Sequence, residues 1–331
     1  MEEKIKIYVS SDVNFILLKD MEFFEFYKKD GQLNKNDFIN TLIINYFDTY
    51  QERQSKTYNH IKELLKDHIS SDLDTVALAS EILNYTETSA FMSQIDKTDI
   101  TISIKPTKKS SGVIEYIQMN CLDGTTMSNY FRNMFTSYTL LPQDKRERII
   151  FKEKFEVIDS AIEQKKKLYF TTKSKPEKHV VSPYAIGNSQ EELFNYLICE
   201  MNNATKSFRV SRLLNVRVMN ESVSFTKERI EAFERTLSHA PQFAYDEEIE
   251  ICVRLTDVGI AQYKKIYSYR PKPVNVIKNL YYFDCSGQQV IHYFQRFGKH
   301  AVILYPAWVR SEMHKFHAMA DKEYKKIAQG Q

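Results

Sequence analysis

The chain has 331 residues, of which 43% are hydrophobic and 27% are charged, and its formal net charge is +3. This length predicts two or three domains rather than one. The nearly balanced charge excludes a basic field over the whole surface, so any site for a polyanion has to be local.

The first predicted element is a strand over residues 4–9, in which apolar and polar side chains alternate. Two helices follow, over residues 11–29 and from residue 34 onward, and Gly31 lies between them. A single short strand leaves two unpaired edges, so it needs a partner strand. Its apolar face carries Ile5, Ile7 and Val9, and its polar face carries Lys4, Lys6 and Tyr8.

This strand–helix–turn–helix order resembles the ribbon-helix-helix fold over residues 1–52. The resemblance implies a homodimer in which two copies pair their strands into one antiparallel ribbon. It also implies that Lys4, Lys6 and Tyr8 face nucleic acid in the major groove. The alternative interpretation is a solvated strand face, on which the lysines oppose edge-to-edge aggregation.

Residues 53–148 are predicted to be a linker region of helices and a β-hairpin. The hairpin pairs an alternating strand at residues 100–104 with a returning strand at 113–119, across a basic turn. A helix over residues 128–138 follows. Lys145, Arg146 and Arg148 are then interpreted as a solvated basic step into the next domain.

Two short apolar strands around residues 194–198 and 206–213 carry the clearest functional signal. On the second strand Arg209 points away from Phe208, whereas Arg212 shares the apolar face with Phe208. A guanidinium on an apolar face is costly unless an anion or a fixed acceptor meets it, which indicates an anion or nucleic-acid site. The alternative is a strand that ends at Ser211 and leaves Arg212 in a solvated turn.

Residues 149–226, a helix followed by these strands, resemble the WYL domain of bacterial ligand-responsive regulators. Asn195 stands where the family triplet has Trp, and Tyr196 and Leu197 match the rest of it. The resemblance implies a small Sm/SH3-like β-barrel and a binding site. The site residues it implies are His179, Tyr196, Lys206, Arg209 and Arg212, with His179 and Lys206 at positions where the family has Arg.

Residues 240–331 alternate predicted strands and helices in the order β-α-β-(β)-α-β-α. The extended stretch at 274–283 is predicted to turn at Lys278 and Asn279. This region resembles the ferredoxin-like C-terminal extension that often follows WYL domains. The fold class predicted for the whole chain is therefore α+β.

The sequence shows no phosphate loop, dinucleotide fingerprint or nucleophile elbow, and we expect no enzyme, no cofactor and no metal. The four cysteines form no C-x-x-C pair, and His314 with His317 has no identifiable third ligand nearby. No apolar run approaches the ~18 residues of a membrane helix, so we expect a cytoplasmic protein without membrane contact.

Three functions remain open at this point. A WYL protein with a ribbon-helix-helix N-terminus resembles the accessory proteins of type VI-D CRISPR systems, which bind single-stranded RNA and stimulate an RNA-guided ribonuclease. The second possibility is a dimeric DNA-binding transcriptional regulator whose WYL domain senses a nucleotide-like anionic effector. The third is a scaffold whose function lies in protein contacts.

Overall fold

A computed structural model describes residues 4–92, 100–122, 124–172, 177–245 and 250–328. The chain divides into two compact units, Met1–Glu153 and Lys154–Gln331. Helices and antiparallel sheets are present in both units, which confirms the predicted α+β class. The finer domain assignments remain predictions.

The first unit is mainly helical and contains one small sheet. Helix α2 continues past residue 52 into the segment predicted to be a linker region. The apolar side chains along one side of α2, from Phe38 to Tyr50, contribute to the core. The elements are β1 Ile5–Val9, α1 Ser11–Phe23, α2 Lys35–Lys66, α3 Asp72–Met92, β2 Ile100–Ile104, α4 Ser111–Asn120, α5 Met127–Thr139 and α6 Gln143–Ile150.

Strand β1 finds its partner within the same chain. It pairs antiparallel with β2, and Ile5 lies opposite Ile104. Beyond the ladder, α5 side chains reach the backbone of Tyr8: Ser128 Oγ accepts from its N–H at 3.3 Å and Arg132 Nε donates to its carbonyl at 2.5 Å. The ribbon expected between two copies is therefore wrong for β1, because β2 occupies one edge of the strand and α5 side chains bond to the other edge at Tyr8.

The predicted β-hairpin is also wrong, because its second strand is helix α4. The backbone N–H groups of Ser110 and Ser111 both donate to the carbonyl of Thr107, which starts a helical turn. Ile114 and Ile117 then enter the core at helical spacing. Strand β2 pairs with β1, and residues 113–119 add no further strand to this sheet.

The basic step before the second unit is not a solvated linker, since it lies in helix α6. The Arg146 guanidinium forms two hydrogen bonds to the buried Asp20 carboxylate, 2.7 Å from Nε and 2.9 Å from Nη2. The Tyr138 hydroxyl donates to the same carboxylate at 2.8 Å. A buried carboxylate requires such partners. Asp20 and Arg146 lie far apart in the sequence, so no local pattern predicts this pair.

The second unit contains a five-stranded and a four-stranded antiparallel sheet. The first has the strand order β6-β5-β4-β3-β7. No ladder joins its outer strands β6 and β7 among the described residues, so the closed barrel implied by the WYL resemblance is absent there. Its elements are α7 Lys152–Glu163, β3 Lys166–Thr172, β4 Lys178–Asn188, β5 Asn195–Met201, β6 Ala204–Arg209, a 3₁₀ turn Val210–Arg212, β7 Leu213–Ser222 and α8 Lys227–His239.

The four-stranded sheet has the order β11-β8-β10-β9, and strands β8, β10 and β11 contribute to one apolar core with helices that follow them. The predicted turn at Lys278 and Asn279 is confirmed, because β9 and β10 pair on either side of it. Its elements are β8 Glu250–Leu255, α9 Asp257–Lys265, β9 Pro273–Ile277, β10 Leu280–Asp284, α10 Gly287–Phe294, a 3₁₀ segment Gln295–His300, β11 Ala301–Tyr305 and α11 Ala307–Ala328.

Across the described ranges, no helix has both the length and the apolar character that a membrane span requires.

Candidate nucleic-acid interface

A tight hairpin between β5 and β6 positions the predicted arginine site. Asn202 and Asn203 form its turn with φ values of 54° and 57°, a conformation that Asn tolerates better than most residues. In the resulting register Tyr196 lies opposite Arg209, so both side chains lie on one face of the sheet. The local sequence therefore fixes which side chains surround Arg209.

Arg209 is held by an aromatic ring and a hydroxyl. Its guanidinium carbon lies 3.2 Å from the centroid of the Phe194 ring. Its Nε donates a 2.8 Å hydrogen bond to Ser211 Oγ. Stacking on Phe194 and bonding to Ser211 restrict the guanidinium while leaving the residue partly exposed. This geometry suits a cation that meets an external anion.

Two further cations lie beside Arg209. Lys154 of helix α7 donates from Nζ to the Ser211 carbonyl at 3.0 Å, so Ser211 contacts two cationic side chains through different oxygens. Arg212 follows Ser211 and is exposed at the end of the 3₁₀ turn. We call Lys154, Arg209 and Arg212 the Ser211 cation group. Two of these cations contact Ser211 and the third follows it in the chain, so they are a candidate for a local polyanion site.

Arg212 does not occupy the strand position assumed from the sequence. Strand β6 ends at Arg209, and the chain continues as the 3₁₀ turn Val210–Arg212. Val210 takes the buried position, and Arg212 turns to the surface. The alternative with Arg212 in a solvated turn is therefore the correct one, although β6 ends two residues earlier than that alternative assumed.

Tyr196 is not available as an open stacking surface. It is 8% exposed, and its hydroxyl donates to the Glu192 carboxylate. Tyr269 also donates to Glu192 at 3.3 Å, and burial, followed by the Glu192 charge, raises the pKa of Tyr269. Tyr196 therefore supports the site from inside the fold.

His179 and Lys206 do not join Arg209. His179 packs with Phe170 and Phe208, at ring-centroid distances of 5.3 Å and 5.6 Å. Phe208 and Lys206 alternate with Arg209 along β6, so they lie on the opposite face. The expectation that His179, Lys206 and the arginines form one cluster is wrong, because strand alternation separates them.

Lys4, Lys6 and Tyr8 belong to the first unit and form a second candidate surface. All three are exposed, while Ile7 and Val9 on the other face of β1 are buried. The predicted division of the strand into a polar and an apolar face is confirmed. The nucleic-acid contact of the polar face remains a prediction.

Three residues at this site, Lys154, Phe194 and Ser211, were not predicted from the sequence. A signal for Phe194 was present, because residues two apart on a strand share a face and Phe194 immediately precedes Asn195 and Tyr196. Lys154 lies on a helix far from the hairpin in sequence, so no local pattern could connect it with Ser211. Phe194 and Ser211 contact Arg209 directly, and Lys154 contacts Ser211, so these residues position Arg209 as much as the motif residues do.

Neither a nucleophile nor a metal group emerges around the hairpin. Burial raises the pKa of the Cys199 thiol, and its Sγ lies 3.7 Å from the carbonyl oxygen of Lys206. Such a thiol is inert, since the thiolate is the reactive form. Within the described part of the chain, no group of three or more His, Cys, Asp and Glu side chains could hold a metal ion.

Comparison with known proteins gives a fold similarity. No protein-family model matches the chain, and no curated protein matches its sequence. The chain is similar in fold to a protein described as a CRISPR Cas-related protein. That similarity has a TM-score of 0.65 and covers 98% of this chain and 95% of the other at 18% identity. At 18% sequence identity, this similarity establishes that the two proteins share a fold.

A second solved structure, the proteasome accessory factor B/C (PafBC) of Arthrobacter aurescens, matches less of the chain. The similarity has a TM-score of 0.26 and 13% identity, and it covers 64% of this chain and 35% of the other.

Proposed function

We propose that this chain is a CRISPR-associated accessory protein that binds single-stranded RNA and stimulates an RNA-guided ribonuclease. The observation that carries this proposal is the fold shared with the CRISPR Cas-related protein over nearly the whole length of both chains. The Ser211 cation group supplies the chemistry that RNA binding requires. The WYL and ferredoxin-like assignments of the second unit belong to the same proposal.

The Ser211 cation group would hold the RNA backbone rather than read its bases. Arg209 and Arg212 offer planar guanidinium groups for phosphate oxygens, and Lys154 adds a point charge. Buried Tyr196 offers little ring surface to a base. Binding at this group is therefore expected to be salt-sensitive and only weakly dependent on base sequence.

The partner in this proposal is the ribonuclease effector, and the accessory would act as a homodimer. The β1–β2 pairing removes the ribbon as the basis for dimer formation. A homodimer would therefore use another surface. Analytical ultracentrifugation of the full chain measures the oligomeric state directly.

Fluorescence anisotropy tests the RNA proposal. A labelled single-stranded RNA and a matched DNA duplex are titrated with the parent protein, Arg209→Ala/Arg212→Ala and Lys4→Ala/Lys6→Ala. We expect the parent to prefer the RNA and the arginine variant to lose most of its affinity. Unchanged RNA affinity in the arginine variant would reject the Ser211 cation group as the site.

A second candidate function is binding of operator DNA by the first unit. It is favoured by the exposed Lys4, Lys6 and Tyr8 on one face of β1. In the same experiment, preferential duplex binding that is lost with the lysine pair would support this function. Absence of binding to either nucleic acid would leave a scaffold function.

A further inference from the structure

The second unit contains a cavity of about 640 Å³ that lies apart from the Ser211 cation group. It is bounded by Thr205 and Lys206 of β6, by residues 242–245 and by the start of α10. Its volume lies within the range of about 300–1,000 Å³ that is typical of small-molecule sites. The cavity is therefore large enough for a ligand of mononucleotide size.

Aromatic rings form much of its wall. Phe243 and His292 pack against each other at a centroid distance of 5.7 Å, and Trp308 lines the cavity near Gly287. A Cβ on Gly287 would come within 2.3 Å of the Trp308 ring, so glycine permits this position of the indole. Rings of this kind offer flat surfaces to a planar heterocycle.

The polar part of the wall favours an anion. Lys206 is the one Lys or Arg among the described residues that line the cavity, and none of these residues carries a carboxylate. The Tyr245 hydroxyl donates to Asp284, a carboxylate outside this lining. The cation in the described wall favours a negatively charged ligand.

We infer that this cavity binds a nucleoside monophosphate or a closely similar planar anion. Lys206 contacts the phosphate, and the wall of Phe243, His292 and Trp308 packs against the base. The site is distinct from the Ser211 cation group, and the inference does not depend on the RNA-binding proposal.

Trp308 is the only tryptophan in the chain, so its fluorescence reports on the cavity. The full-length protein is titrated with AMP and UMP, with adenosine and uridine as uncharged comparators. Equilibrium dialysis with radiolabelled AMP measures the same binding without a fluorescence change. We expect saturable binding of the monophosphates that is about tenfold or more tighter than that of the nucleosides.

The matched variants are Lys206→Ala and Lys322→Ala, two exposed lysines of which only the first lines the cavity. Lys206→Ala is expected to weaken monophosphate binding about tenfold, and Lys322→Ala to leave it unchanged. Arg209→Ala/Arg212→Ala is also expected to retain monophosphate binding, which separates this inference from the RNA-binding proposal.

No binding of AMP or UMP by either method would overturn the inference. Equal binding of nucleoside and monophosphate, or unchanged binding in Lys206→Ala, would also overturn it.

Discussion

The Arg209 guanidinium carbon lies 3.2 Å from the centroid of the Phe194 ring, on the sheet face that also carries Tyr196. Phe194 thus fixes the orientation of the cation that the sequence motif supplies. An arginine held in this way loses less conformational entropy when it meets an anion. The site therefore depends on a residue immediately before the motif triplet.

A double-mutant cycle on Phe194→Leu and Arg209→Met tests this relationship. We expect a coupling energy of about 0.5–2 kcal/mol in denaturant unfolding, because cation–π contacts have this magnitude. The control cycle pairs Phe194→Leu with Lys206→Met on the opposite face, and its coupling energy should be close to zero. Equal coupling energies in both cycles would show that the stacking is not specific.

The buried Asp20–Arg146 pair should be critical to the first unit. Asp20→Asn is expected to lower the free energy of unfolding by roughly 3–5 kcal/mol, because it leaves a buried guanidinium without its counter-charge. The double variant Asp20→Leu/Arg146→Met should have a smaller decrease in the free energy of unfolding, since neither charge remains. Chemical denaturation measures both. The exposed Glu52–Lys56 pair provides the control, and Glu52→Gln should leave the unfolding midpoint unchanged.

Two glycines should respond to alanine in opposite directions. A Cβ at Gly259 would lie 2.3 Å from the His300 carbonyl oxygen, so Gly259→Ala should destabilise the protein by about 1–3 kcal/mol. Gly112 lies in α4 with nothing within 4 Å of its added Cβ. Gly112→Ala should stabilise by up to about 1 kcal/mol. Thermal melts of both variants test this contrast. A change in melting temperature of the same sign in both variants would contradict it.

Alkaline pH should weaken the fold through Tyr138. Burial, followed by the Asp20 charge, raises the pKa of Tyr138 well above its ordinary value. The unfolded chain therefore releases this proton first. The stabilisation is complete below the ordinary tyrosine pKa of about 10 and is lost as pH rises towards the folded-state value.

Tyr138→Phe removes this titration together with a hydrogen bond. It should cost about 1 kcal/mol at neutral pH but make the decline in stability above about pH 10 shallower. Denaturant unfolding at several pH values measures the decline. Identical alkaline declines in parent and variant would exclude Tyr138 as a source of the effect.

Local pattern was sufficient to predict many elements of the fold. The alternation in β1 and the β9–β10 turn are present as expected. Pairing between distant segments could not be predicted in this way. The β1–β2 ladder joins residues 5–9 to 100–104, and no local pattern identifies that partner. Because β1 has no partner strand nearby in the sequence, the sequence alone indicates a partner strand from a second chain.

The candidate site shows the same division. The motif located Arg209 and Arg212, and strand alternation gave the orientation of Arg209. Residues 113–119 were assigned to the wrong element because a short apolar segment suits both a helix and a strand. Lys154 and the Asp20 partner of Arg146 required tertiary contacts, which only the folded chain supplies.

The salt dependence of RNA binding tests the central claim most directly. Each phosphate contact on a single strand contributes about −0.7 to the slope of log K against log salt concentration. Arg209→Ala/Arg212→Ala should therefore bind more weakly and have a slope shallower by about 1.4 than the parent. Lys264→Ala/Lys322→Ala, which removes two exposed cations elsewhere in the second unit, should match the parent. An arginine variant with the parent's affinity and slope would contradict RNA binding at the Ser211 cation group.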